Sequence, residues 1–345
     1  MVTIKQIAAY VGVSPSTVSI VLAGRGDERK ISAQTQEKVQ SAALKLGYTP
    51  SIAARTLRST TSDSDGSLVI AVFWADDFRA GMMVRFLRGL RQGMASCDRP
   101  IRLMLFTYVN GELCNEKVLT SRTDCHAAIV CNASLRDQEF LDHASLPIPI
   151  VLYNRYSQKY ASVNVDDSRM GYLAAHALAD NGCCSIAVLT SAPAYPGMAR
   201  RTSAFEEAAA LRGVEIQPLY HCDNSLHGGY QAVSTEYTPQ TMPNGFFCGS
   251  DNIALGVLRA LWEKGVRVPH DVQVVAIGNG DKEYEEYAIP SLSVVSLPME
   301  QMAAQCLLLL LEVIDGRVEQ PCSRKLTVEY ITRESCGPLT TEVPV

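Results

Sequence analysis

A chain of 345 residues is too long for one small domain and suits a short module joined to a larger one or two. With 47% hydrophobic and 19% charged residues it can bury a full core, which excludes a disordered chain, and no apolar run approaches the roughly 18 residues of a membrane span. The formal net charge of -5 argues against a nucleic-acid partner only until it is divided: residues 1 to 60 hold eight Lys or Arg against three acids, so they carry +5 and the remainder -10. Such a split concentrates attraction for phosphate on one end of the molecule.

The N-terminal stretch TIKQIAAYVGVSPSTVSIVL reads as two short helices around a glycine turn. Thr3 and Gln6 form a capping box, Ile7, Ala8 and Val11 repeat at helical spacing, and Gly12 can take the left-handed conformation that closes a helix. The second helix starts at Ser14, with Pro15 at the first helical position, where a missing N-H costs nothing. Its inner face is Val18, Val21 and Leu22. Small Ala8 permits close approach, Gly12 makes the bend and Val18 fills the angle, which are the mechanical needs of a helix-turn-helix. Ser16, Thr17, Ser19 and Ile20 are left facing outward as candidate readers of base edges. A third helix, capped by Ser32, is expected to run to about Leu46 with Val39, Ala42, Ala43 and Leu46 inward. The segment Ser51 to Arg58 reads as a short helix too brief to be stable alone in water, and Ser59 to Ser67 as a polar linker.

From Leu68 the pattern becomes an alternation. Strand-like runs occur at Leu68 to Trp74, Ile101 to Tyr108, Ala127 to Cys131, Ile148 to Tyr153, Ser185 to Thr190, Gly245 to Cys248 and Val272 to Ile277. Helical stretches separate most of them, among them Met82 to Ala95, Gly171 to Asn181, Arg200 to Leu211 and Asn252 to Lys264. Leu307 to Leu311 reads as part of a buried helix. Apolar runs interleaved with helices indicate parallel sheets covered on both faces, and about ten units exceed one sheet. The expected fold class is therefore α/β: an N-terminal all-α helix-turn-helix module plus two doubly wound parallel-sheet subdomains, with ligands at the carboxyl ends of the strands.

No dinucleotide fingerprint, Walker loop, HExxH or GxSxG is present, and GNGD at Gly278 to Asp281 reads as a turn. The six histidines are scattered singly. All 11 cysteines lie between Cys97 and Cys336 without C-x-x-C spacing, which reads as buried reduced thiols rather than a metal or redox motif. No catalytic constellation, metal site or cofactor is expected. A polar, periodic N-terminus without a signal peptide reads as cytoplasmic.

The residues TIKQIAAYVGVSPSTVSIVLAG and LGYTPSIAARTLR, with VNVDDSRMGYLAAHAL, RRTSAFEEA, FCGSDNIALGVLRAL, DVQVVAIG, IPSLSVV and TRES in register behind them, carry a further signal. The chain resembles transcription regulators of the lac repressor (LacI/GalR) family over essentially its whole length. That resemblance implies a repressor bound to palindromic double-stranded operator DNA as a homodimer or tetramer, and a periplasmic-binding-protein-like domain that takes a small-molecule effector, a sugar or sugar derivative. It divides the chain into residues 1–50 (DNA-binding module), 51–67 (hinge helix and linker) and 68–345. The last comprises an N-subdomain of about 68–162 plus 293–322 and a C-subdomain of about 163–292 plus 323–345, with crossings near 163, 292 and 323.

The resemblance also points to functional positions. Leu57 occupies the place from which the family wedges the minor groove, a step that costs a few kcal/mol and kinks the duplex. Arg25, Arg29, Lys30, Arg55 and Arg58 are candidate phosphate contacts, and Thr3, Ser14 and Pro15 at the helix starts complete the DNA-facing set. Ile20 stands where the family most often has Arg and Ala23 where it has Asn, so a guanine grip worth about 1–3 kcal/mol is replaced, we expect, by apolar contact with a thymine methyl. Arg201 and Asp251 match the recurrent effector-gripping positions. Trp74 and Phe78 after the first strand, and Asn154 and Arg155 after the fourth, are further effector candidates. Asp251 has a rival role as a helix cap, Arg201 as a partner of a nearby acid, and Trp74 as core. Ala204 replaces the family's Gly, and Gly278 with Asn279 replace its aspartate. Two alternatives remain at this level: a regulator with a degenerate pocket that answers a protein partner, and a solute-binding protein or α/β enzyme with an appended helical module.

Overall fold

The computed structural model describes residues 3–22, 26, 29–46, 67–76, 81–120, 124–193, 195–238 and 240–340, in two units: a small N-terminal one and a larger one from Ser67 onward. In the small unit, α1 (Ile4–Val11) opens on the Thr3/Gln6 capping box and closes on Gly12 at φ 74°. A side chain at Gly12 would be strained there, so the sharp bend depends on glycine. Ser14 accepts from the Thr17 amide at 3.0 Å and starts α2 (Pro15–Leu22), and Ser32 accepts from Thr35 at 3.3 Å ahead of α3 (Ala33–Lys45). Ile7, Ala8, Val18, Val21, Val39, Ala42 and Ala43 form one buried cluster, with Leu22 and Leu46 packed partly against it. This is the expected helix-turn-helix. All three helix starts are fixed by side-chain caps, each worth about 1 kcal/mol.

The larger unit holds two sheets. In the first, β1 (Leu68–Asp76) pairs in parallel with β2 (Ile101–Val109) and β3 (Ala127–Cys131), followed by β4 (Ile150–Tyr153), β5 (Ala161–Val165) and β12 (Ser323–Leu326), in the order β2-β1-β3-β4-β5-β12. In the second, β6 (Ser185–Thr190) sits between β7 (Glu215–Ile216) and β9 (Gly245–Cys248), followed by β10 (Gln273–Gly278), β11 (Ser293–Ser296) and β13 (Glu329–Ile331), while β8 (Tyr220–His221) also pairs with β6. The two orders repeat one doubly wound plan. All pairings are parallel except β13, which runs antiparallel to β11.

Alternation along β1 explains the layering. Ile70, Val72 and Trp74 join one buried cluster and Ala71, Phe73 and Ala75 another, because successive side chains leave opposite faces of a strand and both faces are covered. On the first face lie α4 (Met83–Ala95) and α11 (Met299–Ile314), and on the opposite face α5 (Leu135–His143). The second sheet is covered by α6 (Asp167–Asp180) and α7 (Pro196–Leu211) on one side and by α8 (Leu226–Glu236) and α9 (Asp251–Glu263) on the other. The short α10 (Lys282–Glu286) follows β10.

Two expectations need correcting. The run at Ile101 to Tyr108 is apolar, yet β2 is an edge strand with most of its residues exposed or half-buried, Met104 and Leu105 among them, so its hydrophobicity does not mark a covered strand. The passages between sheets also fall later than 163, 292 and 323. β5 and β12 pair in the first sheet through Val165 and Leu326, and β11 pairs in the second through Ser296, so each strand completes its ladder before the chain crosses.

Candidate effector cleft and DNA-facing helices

The carboxyl ends of both sheets meet at a cleft whose free space, open solvent included, is about 510 Å³, the place where doubly wound sheets take their ligands. Asn132 follows β3, Tyr153, Asn154 and Arg155 end β4, Asn224 precedes α8, Asn279 follows β10 and Leu297 follows β11. Met82, Met198 and Met299 supply an apolar wall. Asn132 and Asn154 adopt φ of 60° and 53°, left-handed values that Asn tolerates better than most residues. Both are buried, at the ends of neighbouring strands.

Two guanidinium groups border this space. Arg201, on α7, donates through Nε to Asp167 Oδ1 at 2.7 Å and through Nη2 to the Tyr195 hydroxyl at 2.6 Å. Burial opposes its charge, but Tyr195 and Asp167 outweigh that and hold its proton more tightly than usual. Arg155 donates to the carbonyls of Ala133 at 2.5 Å and Asn154 at 2.6 Å, and lies 3.8 Å over the Tyr195 ring. The Tyr195 hydroxyl also receives Asn154 Nδ2 at 3.3 Å. The outcome is a hydrogen-bonded polar bracket, Asn154-Tyr195-Arg201-Asp167, joining a strand end of the first sheet to two helices of the second. Gly171 on α6 permits it: a Cβ there would stand 2.2 Å from the Arg201 carbonyl.

Asn154, Arg155 and Arg201 thus line the cleft. Asp251 does not. Its carboxylate is 2% exposed and accepts from Gly280 N at 2.6 Å and Asn252 N at 2.9 Å, while Ser250 caps α9. The Gly-Asn-Gly loop that replaces the family's aspartate supplies that Gly280 amide, which draws Asp251 inward. Beneath it Glu285 shares a hydrogen bond with Asp251. Burial, then the neighbouring Asp251 charge, push the Glu285 carboxyl up to about 7, and burial raises Asp251 as well. Trp74 is also absent from the cleft: its position on β1 turns it into the layer under α4, 5.1 Å from Phe86. Phe78 lies outside the described residues.

Sequence reasoning missed Asn132, Tyr153, Tyr195, Asn224 and Asn279. Asn132 carried a usable signal, an asparagine directly after a strand; Tyr195 and Asn224 sit in connections whose path only the fold fixes.

On the DNA-facing helices, Thr3, Ser14, Pro15 and Ser16 are exposed, and Thr17, Ser19 and Ile20 half-buried. Thr3 and Ser14 also serve as caps, with Ser14 Oγ 2.8 Å from Thr17 Oγ1. Arg29 and Lys30 are exposed, Lys30 at φ 54°. Arg25, Arg55, Leu57 and Arg58 lie outside the described residues.

A helix-turn-helix unit carried with two doubly wound sheets that share a polar cleft defines a ligand-controlled DNA-binding protein, and comparison with known proteins agrees. Residues 3–51 match bacterial regulatory proteins of the lacI family, and residues 175–336 match the periplasmic binding protein-like domain. The chain is 34% identical to a LacI family transcription regulator from Clostridium acetobutylicum, whose crystal structure superposes with a TM-score of 0.74 over 77% of this chain and 99% of that one. It is 26% identical to the HTH-type transcriptional repressor PurR of Pasteurella multocida, over 97% of this chain and 98% of the relative. A LacI family transcriptional regulator from Enterococcus faecium, solved with bound ribose, shares the fold at 23% identity and a TM-score of 0.66, over 79% of this chain and 100% of that one. The chain belongs to the lacI family of bacterial transcription regulators: it is a DNA-binding regulator controlled by an effector.

Proposed function

We propose that the protein is a repressor whose grip on a palindromic operator is set by a sugar or sugar derivative held in the cleft by Arg201, Asn154 and Arg155. The observation that carries this reading is the polar bracket at the shared strand ends. Carboxamides can donate and accept, and a guanidinium fork donates in a plane, which together suit a polyhydroxylated ligand. Trp74 and Asp251 act behind this surface, Trp74 through packing and Asp251 through the Gly280 loop. Residues 1–50 would form the DNA-binding module, 51–67 the hinge and 68–345 the effector domain. Thr3, Ser14, Pro15, Ser16, Thr17, Ser19, Ile20, Arg25, Arg29, Lys30, Arg55, Leu57 and Arg58 would face DNA. The protein would work in the cytoplasm and catalyse no reaction. Among the described residues no helix is long and apolar enough to cross a membrane.

A homodimer fits the palindrome, and exposed apolar residues offer a surface for it: Val84 on α4, Met104, Leu105 and Val109 on β2, and Tyr287 and Ile289 after α10. An effector that prefers one arrangement of the subdomains shifts operator affinity by no more than its own difference in affinity for the two. Calorimetry tests the reading. D-ribose, cellobiose, D-glucuronate and glucose 6-phosphate are titrated into the full chain and into Arg201→Lys, which keeps the charge beside Asp167 and loses the fork. At least one should bind the natural chain and bind the variant about tenfold more weakly, the worth of roughly one hydrogen bond. Binding that ignores the substitution would contradict it.

A further inference from the structure

Tyr153 closes β4 and lines the cleft beside Asn154 and Arg155. Its ring is 2% exposed, edge-on to Phe86 at 4.9 Å and tilted against Trp74 at 6.5 Å. That packing requires an aromatic ring and no oxygen. Yet the residue is tyrosine, and its hydroxyl, fully buried, has no hydrogen-bond partner among the described residues. Three other buried tyrosines of the same unit are satisfied: Tyr108 donates to the Cys131 carbonyl at 3.0 Å, Tyr160 to the Ala144 carbonyl at 3.4 Å, and Tyr195 holds the bracket described above. Burial, with the thiols of Cys131 and Cys306 nearby, pushes the Tyr153 phenol well above its ordinary range, so it stays neutral and able both to donate and to accept.

Leaving such a hydroxyl unpaired costs stability, whereas phenylalanine at the same place would keep the ring contacts at no such cost. A side chain that burdens the fold and borders a ligand cleft is explained when a ligand completes it. We propose that Tyr153 is a specificity-determining residue: its hydroxyl bonds an oxygen of the effector and selects ligands bearing that oxygen against deoxy analogues. The inference rests on the cleft being the effector site. A pocket built around a hydrogen bond to one hydroxyl rejects the analogue that lacks it far more strongly than an apolar pocket rejects a missing methylene.

Tyr153→Phe in the full chain tests this in two measurements. Denaturant unfolding without ligand should show a midpoint unchanged or raised, since only an unpaired hydroxyl is removed. Calorimetry with D-ribose, cellobiose, D-glucuronate and glucose 6-phosphate should show that a sugar bound by the natural chain loses tenfold or more in affinity, and one of its deoxy derivatives should bind both chains alike. A lowered midpoint would give the hydroxyl a structural partner and overturn the inference. So would a sugar that binds natural and Tyr153→Phe chains equally but loses affinity in Asn279→Ala, a result that leaves the cleft as effector site intact. A sugar indifferent to both substitutions, or no heat from any of the four, would remove the effector reading and this inference with it.

Discussion

Glutamine at position 285 should remove a pH dependence that the wild-type effector domain carries. Glu285 is 1% exposed, hydrogen-bonded to Asp251 and 3.3 Å from Arg333, and its carboxyl titrates near 7 against an ordinary value of 4.5. The folded chain therefore keeps this proton up to about pH 7, whereas the unfolded chain releases it near 4.5. Between those values the folded state binds more protons, so stability is full below about 4.5 and falls as pH rises through 7. A shift of that size is worth roughly 3 kcal/mol. An amide is neutral throughout and can donate to Asp251 as the protonated acid does, so Glu285→Gln should match the wild type near pH 5 and exceed it by up to about 3 kcal/mol near pH 8. Both tryptophans, Trp74 and Trp262, belong to the larger unit, so fluorescence-detected urea unfolding reports on the domain concerned. His176, lowered by partial burial and by Arg212, contributes the opposite slope but cancels in the difference between the two chains. A difference that stays flat from pH 4.5 to 8, or that favours the wild type at high pH, would refute the shared proton.

Four further outcomes are expected. Asp167→Ala leaves the buried Arg201 guanidinium without its carboxylate and should destabilise the larger unit by about 3–5 kcal/mol in urea, more than an exposed ion pair such as Arg259 with Glu263 would lose. Gly171→Val forces α6 from α7, and its unfolding midpoint should fall while the circular dichroism of the folded form stays helical; an unchanged midpoint would mean the helices are not in close contact. Leu57→Ala should weaken specific operator binding far more than nonspecific binding, and equal losses in gel-shift titrations would count against a minor-groove wedge. If a dimer makes about eight phosphate contacts, log K should fall against log salt with a slope of roughly -7, and each of Arg29→Ala and Lys30→Ala should make the slope shallower by nearly two in the dimer.

The sequence carried the helix-turn-helix almost completely because its determinants are local: a capping box, a left-handed glycine and three apolar positions per helix. Strand positions were readable for the same reason, since buried runs such as Ala127 to Cys131 and Gly245 to Cys248 contain no polar residue. Sheet order, and the late passages of β11 and β12 between sheets, depend on non-local pairings, the longest joining Ser162 of β5 to Ser323 of β12, and leave no local mark. The cleft divides along the same line. Arg201 was found through a recurring motif, whereas Tyr195 became visible only once α7 and β4 were set side by side. Asp251 is not among the residues lining the cleft, since the motif identifies the residue but not the direction of its carboxylate, which accepts from Gly280, 29 residues onward. Trp74 failed through the period of two: one place along β1 in either direction would have faced the other layer.

The most direct test joins the two ends of the molecule. A binding site is selected from random duplexes with the full chain, and its affinity is then measured by fluorescence anisotropy at fixed salt, with and without the sugar that calorimetry finds in the cleft. The account predicts a palindromic site and an affinity that moves at least tenfold when the sugar is present, with the sugar concentration needed for that movement rising about tenfold in Arg201→Lys. A selected site whose affinity is the same with a bound sugar as without it, or failure to select any palindrome, would contradict it.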